Sequence, residues 1–385
     1  MSDHERIHTK LIHAGEPEPR IGDAVAMPIF QSSTYLSRPE DEDYHDIRYA
    51  RLNNTPNHAA LHAKLAALEG AEAALVAGSG MAAISTTLLA LLRSGDHMLM
   101  QDVVYGGTLD LVAHDLPELG IEHDVFDPLD PDSWKDRLRP DTKVIYAEAI
   151  TNPLIQVGEL DAVPRFAREH GLVSMIDNTF ASPVNFRPAE HGYDLSLHSA
   201  TKYLNGHSDV IAGAVIGRAD LVEKVLHKLN HLGGTLDAHA CFLLHRGLKT
   251  LALRMAWQNA SAQQLAEWLD AHPRVETVNY PGLPDHRDHE RAERFLDGCG
   301  GMLSFELSGS AEDAAAFVDR LRLPLHAPSL GGVETLVTRP ATTSHSGLTP
   351  EERERAGVSD RLIRVSVGIE APEDLIADMD QALSG

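Results

Sequence analysis

Cysteine is almost missing from this 385-residue chain. Cys241 and Cys299 are the whole supply, too few for a disulfide framework and too far apart for a thiolate metal cluster. Lysine is scarce as well, with 8 residues against 25 arginines, and 33 basic side chains fall short of 57 acidic ones. The resulting formal charge of −24 repels phosphate backbones, which argues against nucleic acid and anionic membranes as partners. Long apolar runs are absent too. The most apolar stretch, residues 80–92, is interrupted by Ser85, Thr86 and Thr87 and is too short to span a bilayer. The opening residues Met1-Ser2-Asp3-His4-Glu5-Arg6 carry no apolar signal-peptide core, so a cytoplasmic protein is expected.

What is present is an ordinary globular composition, 43% apolar, with length for two or three domains at roughly 150 residues each. Residues 1–56 show no sustained period and are punctuated by Pro17, Pro19, Pro28 and Pro39, as an extension rather than a domain would be. From residue 57 a rhythm of short apolar strands and helices begins. Strands are expected at 73–77, 97–101, 122–126, 144–147, 172–176, 194–198 and 210–216, with helices at 59–68, 81–92 and 162–170. Such alternation predicts an α/β fold with a large, mostly parallel sheet covered on both faces. The rhythm stops after Asn230. Residues 237–272 have helical periodicity and no proline until Pro273, predicting one long connecting helix. Strands at 275–279, 302–307 and 362–367 and helices at 311–321 and 372–383 then suggest a smaller α+β domain. The expected division is an extension 1–56, a ligand-binding domain 57–246 and a C-terminal domain 247–385.

The chemistry-bearing segments follow strands. Gly78-Ser79-Gly80-Met81-Ala82-Ala83 lies between a strand and a helix, where free N–H groups receive an anion such as phosphate. Its spacing also fits G-x-G-x-x-A, with Asp102 about 20 residues on, so a nicotinamide-dependent oxidoreductase is a rival reading. In Ser199-Ala200-Thr201-Lys202-Tyr203 a lysine stands among hydroxyls without an acidic neighbour, poised for Schiff-base chemistry rather than a surface ion pair. Ser199 and Thr201, two apart, are further donors for a phosphate. Asp177, ending an apolar strand, suits a carboxylate that keeps a pyridine nitrogen protonated, the need of pyridoxal phosphate (PLP) catalysis; the same position also suits a helix N-cap. Tyr105, before Gly106 and Gly107, offers an aromatic face with room for a stacked ring, or else a core tyrosine before a turn. Arg364 is a charge inside an apolar strand, matched either to a substrate carboxylate or to an internal salt bridge. The paired histidines His58/His62 and His286/His289 lack a third ligand, and no metal is expected.

Together these segments resemble the Cys/Met-metabolism family of PLP enzymes, the cystathionine lyases and γ-synthases, over nearly the whole chain. The resemblance implies an aspartate-aminotransferase-like (type I) PLP fold and a homotetramer assembled from dimers that share active sites. It also implies that Lys202 carries the cofactor as a Schiff base, Asp177 partners the pyridinium and Tyr105 stacks on the ring with a catalytic part. Ser79, Gly80, Met81, Ser199 and Thr201 match the phosphate cup and Thr179 a ring-side contact. Tyr49 and Arg51 match a pair donated to the neighbouring subunit's phosphate; Asn152, Ser329 and Arg364 match substrate-holding positions. The implied activity is a carbon–sulfur lyase of transsulfuration, acting at Cβ or Cγ of cystathionine or a related sulfur amino acid. The alternative is γ-replacement by a cystathionine γ-synthase or homoserine-ester sulfhydrylase. Three departures stand out. Asn53-Asn54-Thr55-Pro56 replaces the family's usual loop after Arg51. Pro328 stands where several members carry Glu, and Gly107 where many methionine γ-lyases carry Cys.

Overall fold

Short strands rich in Val, Ile, Leu and Met need apolar cover on both faces. The computed structural model describes residues 5–39, 47–344, 346, 349, 351, 353 and 357–384. In it β1 (Ala73–Ala77), β2 (His97–Gln101), β3 (Glu122–Phe126), β4 (Thr142–Glu148), β5 (Val173–Asp177), β6 (Leu195–His198) and β7 (Gly213–Gly217) form one sheet, ordered β1-β7-β6-β5-β4-β2-β3. Of these strands only β7 opposes its neighbours, so β1 points the same way as β6, β5, β4 and β2. The carboxyl ends of those five strands therefore share one edge, where open α/β sheets bind ligands. Side chains alternate between two apolar layers: Val76, Ile145, Ile176 and Ile216 on one face, Leu75, Val144, Met175 and Val215 on the other.

Local chemistry places the flanking helices. Pro56–Glu69 starts at the Thr55 cap with proline in its first turn and stops at Gly70, whose φ of 68° only glycine adopts at little cost. Gly80–Leu91 starts where the Ser79 hydroxyl accepts the Ala82 N–H at 3.0 Å. Within the expected extension, helix Ile7–His13 lays Leu11 into the core beside Pro56–Glu69, while residues 1–4 and 40–46 lie outside the described residues.

The long helix expected through 237–272 is two helices, Ala238–Leu248 and Leu251–Asp270, broken at Lys249 and Thr250. Periodicity could not show the cause. The Arg254 guanidinium takes the Gly247 carbonyl at 2.9 Å and the Tyr203 carbonyl at 2.8 Å, while its Nε donates to Thr250 Oγ1. This tertiary clamp adds to the tight-turn bonds at the break, where the Lys249 and Thr250 N–H groups donate to the Arg246 and Gly247 carbonyls. Beyond it, β8 (Val275–Asn279), β9 (Met302–Leu307), β10 (Leu325–His326), β11 (Leu336–Thr338) and β12 (Leu362–Ser366) form a second sheet, ordered β10-β11-β12-β9-β8. Phe305, Ile363 and Val365 pack there against Leu265, Phe317 and Met379. No described helix is long and apolar enough to cross a membrane.

Candidate active site

A cavity of about 700 Å³ opens at the carboxyl edge of the large sheet and reaches β12 of the smaller one. Each strand end contributes in turn. After β1 come Ser79, Gly80 and Met81; after β2, Tyr105; at the end of β4, Glu148, then Asn152; at the end of β5, Asp177 and Thr179; after β6, Ser199, Thr201 and Lys202. Ser329 and Arg364 close it from the C-terminal part. Close approach explains the small residues. A Cβ on Gly80 would lie 2.8 Å from that of Ser199, so only glycine lets the helix N-terminus meet the 199–201 turn. That turn is itself pinned: Thr179 Oγ1 accepts the Ser199 N–H at 2.8 Å, and Thr201 Oγ1 accepts the Ala212 N–H at 3.0 Å.

Two cations enter the cavity without a carboxylate partner among the described residues. Lys202 Nζ donates to Ser329 Oγ at 2.8 Å; burial, reinforced by Arg364, lowers its pKa to about 8. Arg364 donates to Asn152 Oδ1 at 2.9 Å and to the Ser329 carbonyl at 3.2 Å, and burial lowers its pKa to about 10. Its internal-salt-bridge alternative is thus not what the structure holds. Asp177 accepts the Thr179 N–H at 2.9 Å; burial raises its pKa, against lowering by Thr179, His198 and Tyr146. A ring lying on Asp177 would find a buried acceptor beneath it. Tyr105 is 44% exposed, and its ring covers Gly107, where a Cβ would come within 2.7 Å of Cε1. A side chain at position 107 would displace that ring.

Every expected site residue lines this cavity except Tyr49 and Arg51. Those two stand elsewhere on the chain's surface, Arg51 donating to the Asn230 carbonyl at 2.7 Å. The loop after Arg51 is also settled. Asn53 adopts a left-handed φ of 56°, Asn54 Oδ1 receives the Tyr49 N–H, and Thr55 caps the next helix. Asp102, the acid of the dinucleotide fingerprint, is not in the cavity wall. Sequence reading passed over Glu148. Its signal is a lone carboxylate ending the apolar run 144–147, the same signal that singled out Asp177. His58 and His62 serve the backbone, bonding the Leu236 carbonyl and the Val76 N–H.

The chain is similar to known proteins over nearly its whole length. The family model described as Cys/Met metabolism PLP-dependent enzyme matches residues 8–384. A cystathionine β-lyase of Bacillus subtilis is 42% identical over 385 residues, covering 100% of this chain and 98% of the relative. A chloroplastic cystathionine γ-synthase of Arabidopsis thaliana is 41% identical over 382 residues, 97% of this chain and 68% of that protein. Among solved structures, a cystathionine γ-lyase from Lactobacillus plantarum complexed with L-serine superposes with a TM-score of 0.93 at 37% identity, covering 99% of each chain.

Proposed function

This chain belongs to the Cys/Met metabolism PLP-dependent enzymes, and from that premise we propose that it eliminates a sulfur substituent from Cβ or Cγ of cystathionine or a related sulfur amino acid. Pyridoxal phosphate is its cofactor. The residues present fit that group. Ser79, Gly80 and Met81 leave the unbonded N–H groups of a helix N-terminus facing Ser199 and Thr201, and the Gly80–Ser199 approach forms a cradle that a Cβ would fill. When bound, the cofactor supplies an electron sink for a carbanion at the substrate's Cα.

The protein's own residues do the rest. Asp177, buried in the cavity wall, would hold the ring nitrogen's proton, and Tyr105 would cover the ring. Lys202 would anchor the cofactor through its aldehyde. Once the substrate's amine takes its place there, the freed Lys202 amine, whose pKa burial lowers to about 8 in the cofactor-free protein, would take a proton from Cα and deliver one to the leaving sulfur. Arg364, already oriented by Asn152 and Ser329, receives the substrate carboxylate in its planar fork. The observation that carries this reading is the pair Lys202 and Arg364, a half-buried and a buried cation converging on Ser329, neither of them ion-paired with a carboxylate among the described residues.

A second reading, γ-replacement on an activated homoserine, is favoured by the make-up of the cavity wall. Among the described residues it includes Phe180, Ile211 and Pro328, and Glu148, Asp177, Lys202 and Arg364 are its charged side chains, leaving none beyond those already assigned to grip a distal amino-acid group. We also read residues 57–246 as the cofactor-binding domain, 247–385 as the C-terminal domain, and the active form as a cytoplasmic homotetramer. In it the extension carries Tyr49 and Arg51 to a neighbour's phosphate site, for which their position outside their own cavity is the support. Product analysis by mass spectrometry with cystathionine decides the reaction. Pyruvate with homocysteine marks β-elimination, and 2-oxobutyrate with cysteine marks γ-elimination. Silence until a thiol and an acylated homoserine are supplied overturns the lyase reading in favour of γ-replacement.

A further inference from the structure

Two carboxyls end adjacent strands in register: Glu148 on β4 pairs across the ladder with Asp177 on β5. Both are buried. We propose that Glu148 is held as the uncharged carboxylic acid and positions Tyr105 through the peptide N–H of that residue, leaving the negative charge to Asp177.

Two buried carboxyls on neighbouring strands resist ionising together, and the one whose charge has less support from its surroundings keeps the proton. Asp177 is the better served. It accepts the Thr179 N–H, and although burial raises its pKa, Thr179 and the nearby His198 act to favour its charged form. His198 stands against Glu69 at 2.6 Å on the far side of β6, and Glu69 also receives Ser196 Oγ at 3.1 Å. Glu148 has one donor, the Tyr105 N–H at 2.5 Å, and no described lysine, arginine or histidine makes an ion pair with it. Burial and the neighbouring Asp177 both push its pKa well upward. Lys202 and Arg364, the other charges in the cavity wall, are turned to Ser329 and Asn152. As a neutral acid Glu148 keeps a carbonyl oxygen for the Tyr105 N–H and does not compete with Asp177 for a ring proton. Tyr105 is then held twice, by Glu148 at its backbone and by the bare face of Gly107 under its ring.

The proposal leans on the PLP reading only for its second measurement. The first is infrared difference spectroscopy of the cofactor-free protein at neutral pH. A protonated-carboxyl C=O band is expected in the parent protein and lost in Glu148→Gln; a spectrum unchanged by that substitution overturns the charge assignment whatever the enzyme's reaction. The second compares Glu148→Gln with Glu148→Ala, both checked for native circular dichroism, by titrating the bound cofactor's absorbance. Gln keeps an acceptor for Tyr105, so cofactor affinity is expected within about twofold of the parent and the absorbance titration within a few tenths of a pH unit. Ala leaves the N–H unpaired, and affinity is expected to fall about tenfold. An absorbance titration displaced by a full pH unit in Glu148→Gln, or unchanged affinity in Glu148→Ala, overturns the positioning role.

Discussion

Two buried charge clusters in this protein look alike until their partners are traced. In one, Lys64 is fully buried, donates to the Leu11 carbonyl at 2.8 Å and has its pKa lowered to about 8, chiefly by burial. In the other, Lys202 is lowered to the same value for the same reason. The perturbation alone does not tell a structural lysine from a reactive one. The surroundings do. Around Lys64 a carboxylate is at hand: Glu16 meets Lys249 at 2.9 Å, Arg20 at 2.5 Å and His245 at 3.5 Å, tying the N-terminal segment to the core. The described hydrogen bonds of Lys202 and Arg364 go only to neutral oxygens, and a cavity lies beside them. Arg254 refines the lesson. It too has no carboxylate partner among the described residues, but all three of its nitrogens are bonded to oxygen and it is not in the wall of this cavity, so nothing is missing. Buried positive charge with unfilled valence and open space beside it marks where an anionic ligand belongs.

The largest expected effect breaks the likeness between the two lysines. Lys202→Ala should cost about 10⁴-fold or more in kcat/KM, since under the proposed mechanism it removes both the cofactor's anchor and the proton carrier. Lys64→Met should leave kcat/KM unchanged while lowering stability by about 1–3 kcal/mol in denaturant unfolding, the cost of an unsatisfied buried carbonyl. Next, Arg364→Gln should raise KM by about 10²-fold with a smaller change in kcat, as the substrate carboxylate loses its charged partner; an unchanged KM would remove Arg364 from substrate binding.

Smaller effects sharpen the comparison through pH. Burial acts to raise the Glu16 pKa, but Lys249, His245 and Lys64 outweigh it and leave it below the ordinary 4.5. A depressed carboxylate contributes stability above its unfolded value and loses it as pH falls toward the folded one. Acid unfolding curves of the parent should therefore steepen below pH 4.5, and Glu16→Gln should flatten that limb while being less stable at neutral pH. The lysines run the other way. With folded values near 8 against an ordinary 10.5, the unfolded chain binds more protons between those limits, so the cofactor-free protein should gain stability as pH rises from about 8 to 10.5. Lys202→Met and Lys64→Met should each flatten this rise by a similar amount, measured by urea midpoints across that range.

Much of this was legible in order along the chain. Strands 97–101 and 122–126 and helix 162–170 coincide with the observed elements because apolar periodicity, a glycine stop and β-rich composition agree there. Lys202, Asp177 and the Gly78–Met81 turn are visible because each places an exceptional residue type directly after an apolar strand. Glu148 was passed over because its neighbours in sequence, Ala147 and Ala149, carry no motif; its importance comes from Asp177 across the ladder. The break at Thr250 was missed for the same kind of reason, since Arg254 opposes helix continuity only once Tyr203 lies beside it.

Most of the strand and helix positions and the placement of the candidate residues at or after strand ends could be read from sequence alone, because periodicity and residue type act over a few neighbouring positions. Which buried charges are paired, which carboxyl keeps its proton and where a helix is interrupted were decided only by the tertiary structure. Hydrogen bonds and Coulomb forces act between atoms near in space, and residues 148, 177, 202, 329 and 364 become neighbours only after folding.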